Sequence, residues 1–458
     1  MVIYLLGAFT LIVTTLTLAS LFHFSYKKKH PYALWFLGGF LYNCFTVSFF
    51  YVFLPVPWIE NITLQYAGIT LFILLGAILA GASFLIIPLL LRKTYLIPLA
   101  LVPLSISFAF LLQDIVRSTF ISLLLYGKGA PSGIHFILGS IGESLAFTPL
   151  VIFSYWGSVY FLTALLSLLI FLGFTLIKKI LPLRVIAVYL VLLVIIFFSL
   201  LVRRESTLAS LTPHDPLKIG IVTTDSPNPT IENPLPEYKA RTEKINTLLR
   251  EKITSPFDIV ILPESTSYLD TRDVLNMDER FPIKSFLDST TIPKKEDYHV
   301  STIFRDEEVN VTETRRKDGL MVFSEYNPYL YDLLLYFFKD GTERTRTLTR
   351  STSDYHTFTA GDLRFGVLIC SEGTSLMPLH NFEKKNPDFY VLQSNLAIMQ
   401  GRSFGFMHLY AYTRLLATTS GKPVLGVSNS APSYGFDGKG RPLYSINKSY
   451  SFYEIILP

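Results

Sequence analysis

The chain has 458 residues, half of them hydrophobic, and a formal net charge of +5. That charge needs no nucleic-acid partner, because much of the excess sits at Lys27, Lys28, Lys29, Arg92, Lys93, Lys178 and Lys179, in short connections between apolar stretches, where the positive-inside tendency of membrane proteins accounts for it. Two cysteines, Cys44 in an apolar stretch and Cys370 in a charged half, give neither an expected disulfide nor a metal-type spacing, and no cofactor is expected.

Up to Val202 the sequence is a series of long apolar stretches, and from Arg203 onward charged residues and turn formers recur at the density of a soluble domain. The reading is a membrane bundle over 1–202 followed by a globular domain over 203–458, long enough to bury a full core. Spans of about 20 residues, the length a hydrocarbon core requires, fit at 2–24, 32–54, 65–91, 95–113, 156–177 and 182–201. The basic connections follow the first, third and fifth of these, so assigning them to the cytoplasm places the N-terminus and the globular domain on the outer face. A cleaved signal peptide at the first span is disfavoured, since its lysines follow the apolar stretch instead of preceding it. Between residues 114 and 155, Asp114, Arg117, Lys128, His135 and Glu143 interrupt apolar pieces. Such a stretch fits an outer-face segment in the headgroup zone or one lining a cavity between helices; the alternative is a loop packed on the bundle.

In the second half, apolar runs at 217–222, 257–264, 299–304, 363–370, 389–393 and 424–428 read as strands, and 238–251 and 406–419 as helices. This alternation predicts a layered α/β domain. The polar stretch 270–298 reads as a mobile loop.

Three side chains stand where chemistry is mounted. Cys370 closes the run Gly366-Val367-Leu368-Ile369 and precedes Ser371-Glu372-Gly373, so a strand end would hold the thiol while the next turn exposes it and aims a backbone N–H at the same space. Glu264 ends its own strand after Pro263, placing a carboxylate on the same sheet edge as a candidate general base. Lys317 precedes Asp318-Gly319-Leu320-Met321-Val322-Phe323-Ser324-Glu325-Tyr326; a lysine beside a thiol favours thiolate and stabilises an oxyanion. Taken singly, each has a blander reading: a core cysteine, a capping carboxylate, a solvated lysine after Arg315-Arg316.

In that order Glu264, Lys317 and Cys370 resemble the Glu-Lys-Cys triad of the nitrilase superfamily, and with a multispan bundle in front the chain is similar to the apolipoprotein N-acyltransferases. Leu320, Phe323 and Glu325 match the family's second motif in register, while Val322 and Ser324 replace proline and glycine. Leu138-Gly139-Ser140, Pro149-Leu150 and Trp156-Gly157-Ser158-Val159-Tyr160 resemble its outer-face segment and the opening of its penultimate bundle helix, and Gln393-Ser394-Asn395, His408, Arg414 and Ser428-Asn429-Ser430 fall at its later motif positions. The resemblance implies a layered αββα domain on the outer, periplasmic face of a bacterial cytoplasmic membrane, with Glu264, Lys317 and Cys370 catalytic and Glu325, Ser371, Glu372 and Asn395 supporting the site, its oxyanion or its lid. It implies a phospholipid acyl donor, a Cys thioester, and a diacylglyceryl lipoprotein whose amine accepts the chain, in a protein taken as a monomer with membrane lipids as neighbours and no nucleic-acid partner. Departures are Asn395-Leu396-Ala397-Ile398-Met399 in place of an aromatic-rich loop, Ser371 where a tyrosine is usual, and the absence of one early span and the final one. A membrane-tethered amidase or acyl hydrolase, with water as acceptor, and a non-enzymatic lipid-binding relative are the competing expectations.

Overall fold

The computed structural model describes residues 2–27, 31–53, 62–92, 97–127, 137–209, 216–225, 235–275, 280–294, 297–306, 311–322, 325–326, 328–337, 355–399 and 403–457. The first half is helical: α1 (Val2–Lys27), α2 (Pro31–Val47), α3 (Ile62–Ser83), α4 (Ile86–Leu91), α5 (Val102–Leu124), α6 (Ser158–Lys178) and α7 (Leu183–Ala209). Among the described residues five helical runs are long and apolar enough to cross a membrane: Tyr4–Ser25, Ile62–Leu91, Leu99–Leu124, Ser158–Lys178 and Leu183–Val202. The stretch expected as the second span forms the 17-residue α2 and then tightens into a 3-10 run, Ser48–Phe53.

The fourth span differs from expectation: the helix reaches Leu124 instead of ending at 113, so Asp114 and Arg117 lie inside α5. They remain helical because each charge has its partner one turn away. Arg117 Nε donates to Asp114 Oδ1 at 2.8 Å and its Nη1 to the Leu138 carbonyl at 2.9 Å, while Ser140 and Thr163 hydroxyls donate to the other Asp114 oxygen. A buried ion pair whose remaining lone pairs are satisfied is tolerated inside a bundle where a lone charge is not. Lys128 and His135 fall outside the described residues. The later part of the segment forms two 3-10 runs, Ile141–Phe147 and Pro149–Trp156, packed between α6 and the second half of the chain.

That half contains β1 (Leu217–Thr223), α8 (Leu235–Lys252), β2 (Ile259–Ile261), α9 (Tyr268–Val274), β3 (Ser285–Lys294), β4 (Asp297–Asp306), β5 (Val311–Arg316), α10 (Tyr329–Phe337), β6 (Phe358–Ala360), β7 (Leu363–Ile369), α11 (Leu376–Glu383), β8 (Phe389–Asn395), α12 (Ser403–Ser420), β9 (Val424–Asn429), β10 (Ser433–Phe436), β11 (Pro442–Ile446) and β12 (Ser451–Leu457). The mobile loop expected over 270–298 is mostly regular. It holds the end of α9, all of β3 and the start of β4, because the Ser- and Thr-rich run pairs along its whole length with β4, and β-branched threonine suits a pleated strand.

Two six-stranded sheets result, ordered β12-β1-β2-β3-β4-β5 and β11-β10-β9-β8-β7-β6, with β1, β2 and β3 mutually parallel and β7, β8 and β9 likewise. Side chains alternate between faces as the pleat requires. Phe365, Val367 and Ile369 of β7, with Phe389 and Val391 of β8, meet Ile219, Ile221, Ile259 and Ile261 between the sheets. Val222, Val260 and Phe286 face outward onto α8 and α9. Leu368, Tyr390 and Leu392 face the other way, onto α11 and α12, in a core continuous with that of the helical bundle. The expected αββα sandwich is present, and its second helix layer is pressed between a sheet and the bundle.

Candidate active site

Parallel strands align their C-terminal ends, and here the ends of β2, β7 and β8 carry Glu264, Cys370 and Asn395 to one rim. Glu264 follows Leu262 and Pro263 and is buried at 3 % exposure. Lys317 follows β5, where its N–H donates to the Val300 carbonyl and so continues the pairing with β4. Its ammonium, fully buried, donates to Glu264 Oε1 at 2.9 Å and to Glu325 Oε1 at 2.9 Å. Glu325 is held by its own turn: the Met321 N–H donates to Glu325 Oε2, and the Glu325 N–H donates to the Met321 carbonyl at 2.8 Å.

Cys370 sits at φ 48°, in the left-handed region that a residue with a Cβ seldom adopts. The strain marks the sharp turn from β7 into a 3-10 run, Cys370–Thr374, which lifts the thiol off the strand. The Asn395 N–H donates to Glu264 Oε2 at 3.0 Å and lies close enough to Cys370 to favour its thiolate. The ammonium lies against the same carboxylate.

These neighbours set the protonation pattern. Burial pushes the Cys370 thiol up, the Glu264 and Glu325 carboxylates push it further, and Lys317 opposes them, so the resting sulfur is a thiol. Burial alone would lower Lys317, but Glu264 and Glu325 outweigh it and hold the ammonium charged well beyond its ordinary range. Glu325 is raised by burial and by Glu264, with Lys317 opposing. The arrangement has a protonated nucleophile, an adjacent carboxylate that can take its proton, and a fixed cation with a third N–H beyond the two given to carboxylates.

The supporting residues divide. Ser371 Oγ donates to the Gly319 carbonyl at 2.5 Å, which ties the turn after Cys370 to the turn after Lys317. Glu372 is fully buried and accepts from Arg315 Nη1 at 2.8 Å and Nη2 at 2.7 Å, from the Asp318 N–H at 2.8 Å and from the Ile369 N–H at 2.8 Å. It clamps the strand end that bears the thiol against the strand end that bears the ammonium. Arg315, to which the sequence reading gave no role of its own, is fully buried, and its Nη1 also donates to the Val367 carbonyl. The signal was present: on a strand, residues two apart share a face, so an inward Lys317 implies an inward Arg315. Gln393 was read only as a family motif position; its Oε1 accepts from Thr302 Oγ1 and its Nε2 donates to the Leu262 carbonyl, both at 2.6 Å, joining the two sheets beneath Glu264.

His408 and Arg414 belong to a different surface. His408 Nδ1 lies 2.5 Å from Glu143 Oε1, and Arg414 Nη1 donates to the Ala146 carbonyl at 2.7 Å. Both hold α12 to the 3-10 runs of the bundle. The loops of the rim are tied there too. The Ile137 N–H donates to the Thr374 carbonyl at 3.1 Å, Tyr326 Oη to the Leu125 carbonyl at 2.9 Å, and the Tyr329 N–H to the Tyr126 carbonyl at 2.9 Å.

No protein-family model matches the chain, and no curated protein matches it. Among solved structures it is similar to an amidase of the nitrilase superfamily from Nesterenkonia, with TM-score 0.39 and 11% identity over 54% of this chain and 94% of that one. It is likewise similar to a CN-hydrolase superfamily protein from Xanthomonas campestris, with TM-score 0.38 and 14% identity over 54% of this chain and 91% of that one. Reactivity therefore has to be read from the side chains themselves.

Proposed function

We propose that the protein is an acyltransferase that carries a phospholipid acyl chain as a thioester on Cys370 and delivers it to the N-terminal amine of a diacylglyceryl-cysteine lipoprotein. The observation that carries this reading is the Lys317 ammonium bridging Glu264 and Glu325 at 2.9 Å each, beside a strained cysteine whose loop is tied to a helical bundle. Glu264 takes the thiol proton as the sulfur attacks the ester carbonyl. Lys317 and the Ser371 N–H stabilise the oxyanion. The C–O bond then breaks, the departing glycerol oxygen takes the proton from Glu264, and a lysophospholipid leaves. In the second half the acceptor amine attacks the thioester, Glu264 receives its proton, and the proton returns to the sulfur as the amide forms.

Two embedded lipids suit a nucleophile mounted at the edge of a bundle, since neither has to be drawn into water. The reading places the rim at the outer leaflet of a bacterial cytoplasmic membrane. The test is mass spectrometry of the full-length protein after incubation with phospholipid in detergent micelles. An acyl adduct on Cys370 that hydroxylamine removes is expected, together with acylated lipopeptide when an acceptor is added. An adduct that persists in Cys370→Ala refutes the mechanism. Release of free fatty acid with no acylated lipopeptide assigns the acceptor role to water and makes the protein a hydrolase.

A further inference from the structure

Glu264 stands at a strained reversal of the chain. The Leu262 N–H still donates to the Leu287 carbonyl at 2.9 Å as part of the sheet, and the turn follows at Glu264 and Ser265. Ser265 has φ 60° and Ser267 φ 47°, in the left-handed region where a Cβ is crowded and glycine or asparagine is the usual occupant. Two such residues within three positions persist only where their surroundings hold them. Ser267 is held by β3 and α9: its N–H donates to the Ser289 carbonyl at 3.0 Å, its Oγ lies 3.0 Å from Thr290 Oγ1, and its carbonyl accepts from the Thr271 N–H at 3.0 Å.

Ser265 is held by Arg241. The guanidinium Nη1 donates to the Ser265 carbonyl at 2.5 Å and lies 3.5 Å from the Thr266 carbonyl. An arginine on an amphipathic helix belongs to its solvent face, yet Arg241, on α8, is 3 % exposed. Two features fix where it points. Ile245, Leu248 and Leu249 of α8 share a core with Val222 and Val260 of the first sheet, and the guanidinium carbon lies 5.4 Å from the centre of the Tyr238 ring, one helical turn earlier. A guanidinium donates in a rigid planar fork, so the Ser265 carbonyl is fixed in direction as well as in distance.

We propose that Arg241 is a positioning residue for Glu264, holding the left-handed turn after it so that the carboxylate stays aimed into the site; this rests on the general-base role given to Glu264 above. The two carboxylate oxygens accept from Lys317 Nζ at 2.9 Å and from the Asn395 N–H at 3.0 Å, one donor from each sheet. Those bonds orient the side chain, but neither bears on the φ of Ser265, and a turn that relaxes to an ordinary φ carries the neighbouring Glu264 backbone with it. A misplacement of about 1 Å is enough to slow a reaction by about 100-fold. Arg241 thus acts through the backbone and not on the reacting atoms.

The test sets the donor against the strain, on the full-length protein in detergent micelles, with formation of the Cys370 acyl adduct from phospholipid and alkylation of Cys370 by iodoacetamide as the two readouts. Arg241→Met should slow adduct formation by about 10–100-fold and speed alkylation, since a displaced Glu264 no longer disfavours the thiolate. Adding Ser265→Gly should restore adduct formation by about 5–30-fold, the gain a residue without a Cβ has in the left-handed region, and slow alkylation again. A glycine placed in a turn that is merely loosened would weaken it further, so this rescue separates positioning from a general loss of structure. Should Arg241→Met not fold, Arg241→Lys, which keeps the charge without the fork, is read in the same way. Both rates in Arg241→Met within about twofold of the unsubstituted protein, or a loss that Ser265→Gly leaves unrelieved, overturn the inference. If the unsubstituted protein forms no adduct, the acyl-donor reading fails, while alkylation still decides the role of Arg241.

Discussion

Lys317→Met tests the ionic arrangement at the centre of the site. The ammonium is 1 % exposed and lies 2.9 Å from both Glu264 and Glu325, which are 4 % and 11 % exposed. At that separation each contact is worth about 6 kcal/mol of Coulomb attraction at an effective dielectric constant near 20, before the desolvation of three ions is subtracted. Removing one partner of such a buried pair costs about 3–5 kcal/mol, since it strands the other charge. For a domain of this size that corresponds to a melting temperature lowered by about 6–20 °C. Methionine keeps the length and apolar stem, so the loss measures charge and not a cavity. The pH dependence identifies its origin. Glu325 is already raised above its usual carboxylate value. Without Lys317 the two carboxylates repel, and the folded state holds protons that the unfolded chain releases above the ordinary carboxylate range. Stability tied to raised carboxyls is fully present below the unfolded value near 4.5 and is lost as pH rises through the folded one. The deficit of the variant relative to the wild type should therefore shrink between pH 8 and pH 5, because groups raised in both proteins, such as Asp288, cancel in the difference and the wild type's Lys317 loses stabilisation only above its ordinary value of 10.5. Melting followed by intrinsic fluorescence in detergent, with the exposed Lys385→Met as control, decides it. A melting temperature within about 2 °C of wild type across that range refutes the claim that Lys317 is a buried counter-ion.

Alkylation of Cys370 by iodoacetamide should be slow at neutral pH, because burial and Glu264 favour the thiol. Glu264→Gln should accelerate it, by about tenfold for each unit the thiol falls, while abolishing acyl-adduct formation; a uniform slowing in mass spectrometry would contradict the placement of that carboxylate. Glu372→Ala leaves the buried Arg315 guanidinium without its counter-ion and three backbone N–H donors, of Asp318, Gly319 and Ile369, without this acceptor, so it should cost about 3–5 kcal/mol in denaturant unfolding; a cost like that of an exposed glutamate would show that the clamp carries no load. Burial raises Asp288 to about 7, although the Leu269 and Ser289 N–H groups oppose it. Its folded-state value lies above its unfolded one, so the stabilisation it gives is complete below pH 3.8 and fades as pH rises through about 7. A flatter stability profile between pH 5 and pH 8 in Asp288→Asn than in wild type is the expected result.

The strands of the sandwich were legible because their apolar runs are short and end in turn residues, as at Leu363–Ile369 before Cys370. The candidate site was legible for the same reason: a reactive type just after a buried strand points to the rim, whichever strand it is. Strand β3 was illegible. Its Ser-Thr-Thr core reads as loop, and only the pairing with β4 makes it regular. The end of α5 was misjudged because Asp114 and Arg117 look like a break in an apolar span, whereas the pair at i and i+3 neutralises itself on one helix face. Glu372 and Arg315 could be named as residues, but their bond joins positions 57 apart in sequence, and no local pattern carries that distance.

The bundle does more for the domain than anchor it. In a free-standing αββα sandwich the outer helix layers face water on their far sides, and here α12 does not: it packs against α1, α6 and both 3-10 runs, and its Leu415 and Leu416 belong to a core continuous with Trp35, Phe72, Phe110 and Leu162 of the bundle. Burial on both faces explains why α12 carries Tyr410 and Tyr412 where an exposed helix would carry charge, with Tyr410 stacked on Phe147 at 5.4 Å. It also fixes the chemistry in space. The turn holding Cys370 and the loop holding Glu325 are each bonded to the chain between α5 and the first 3-10 run, through Thr374 and Tyr326. A rim fastened at two points cannot tilt against the helices beside it without breaking buried hydrogen bonds, each of which costs about 1–3 kcal/mol when left unmade. The depth of the sulfur relative to those helices is therefore set by the fold itself, which is the property a nucleophile needs if its substrates come no nearer than the edge of a lipid layer.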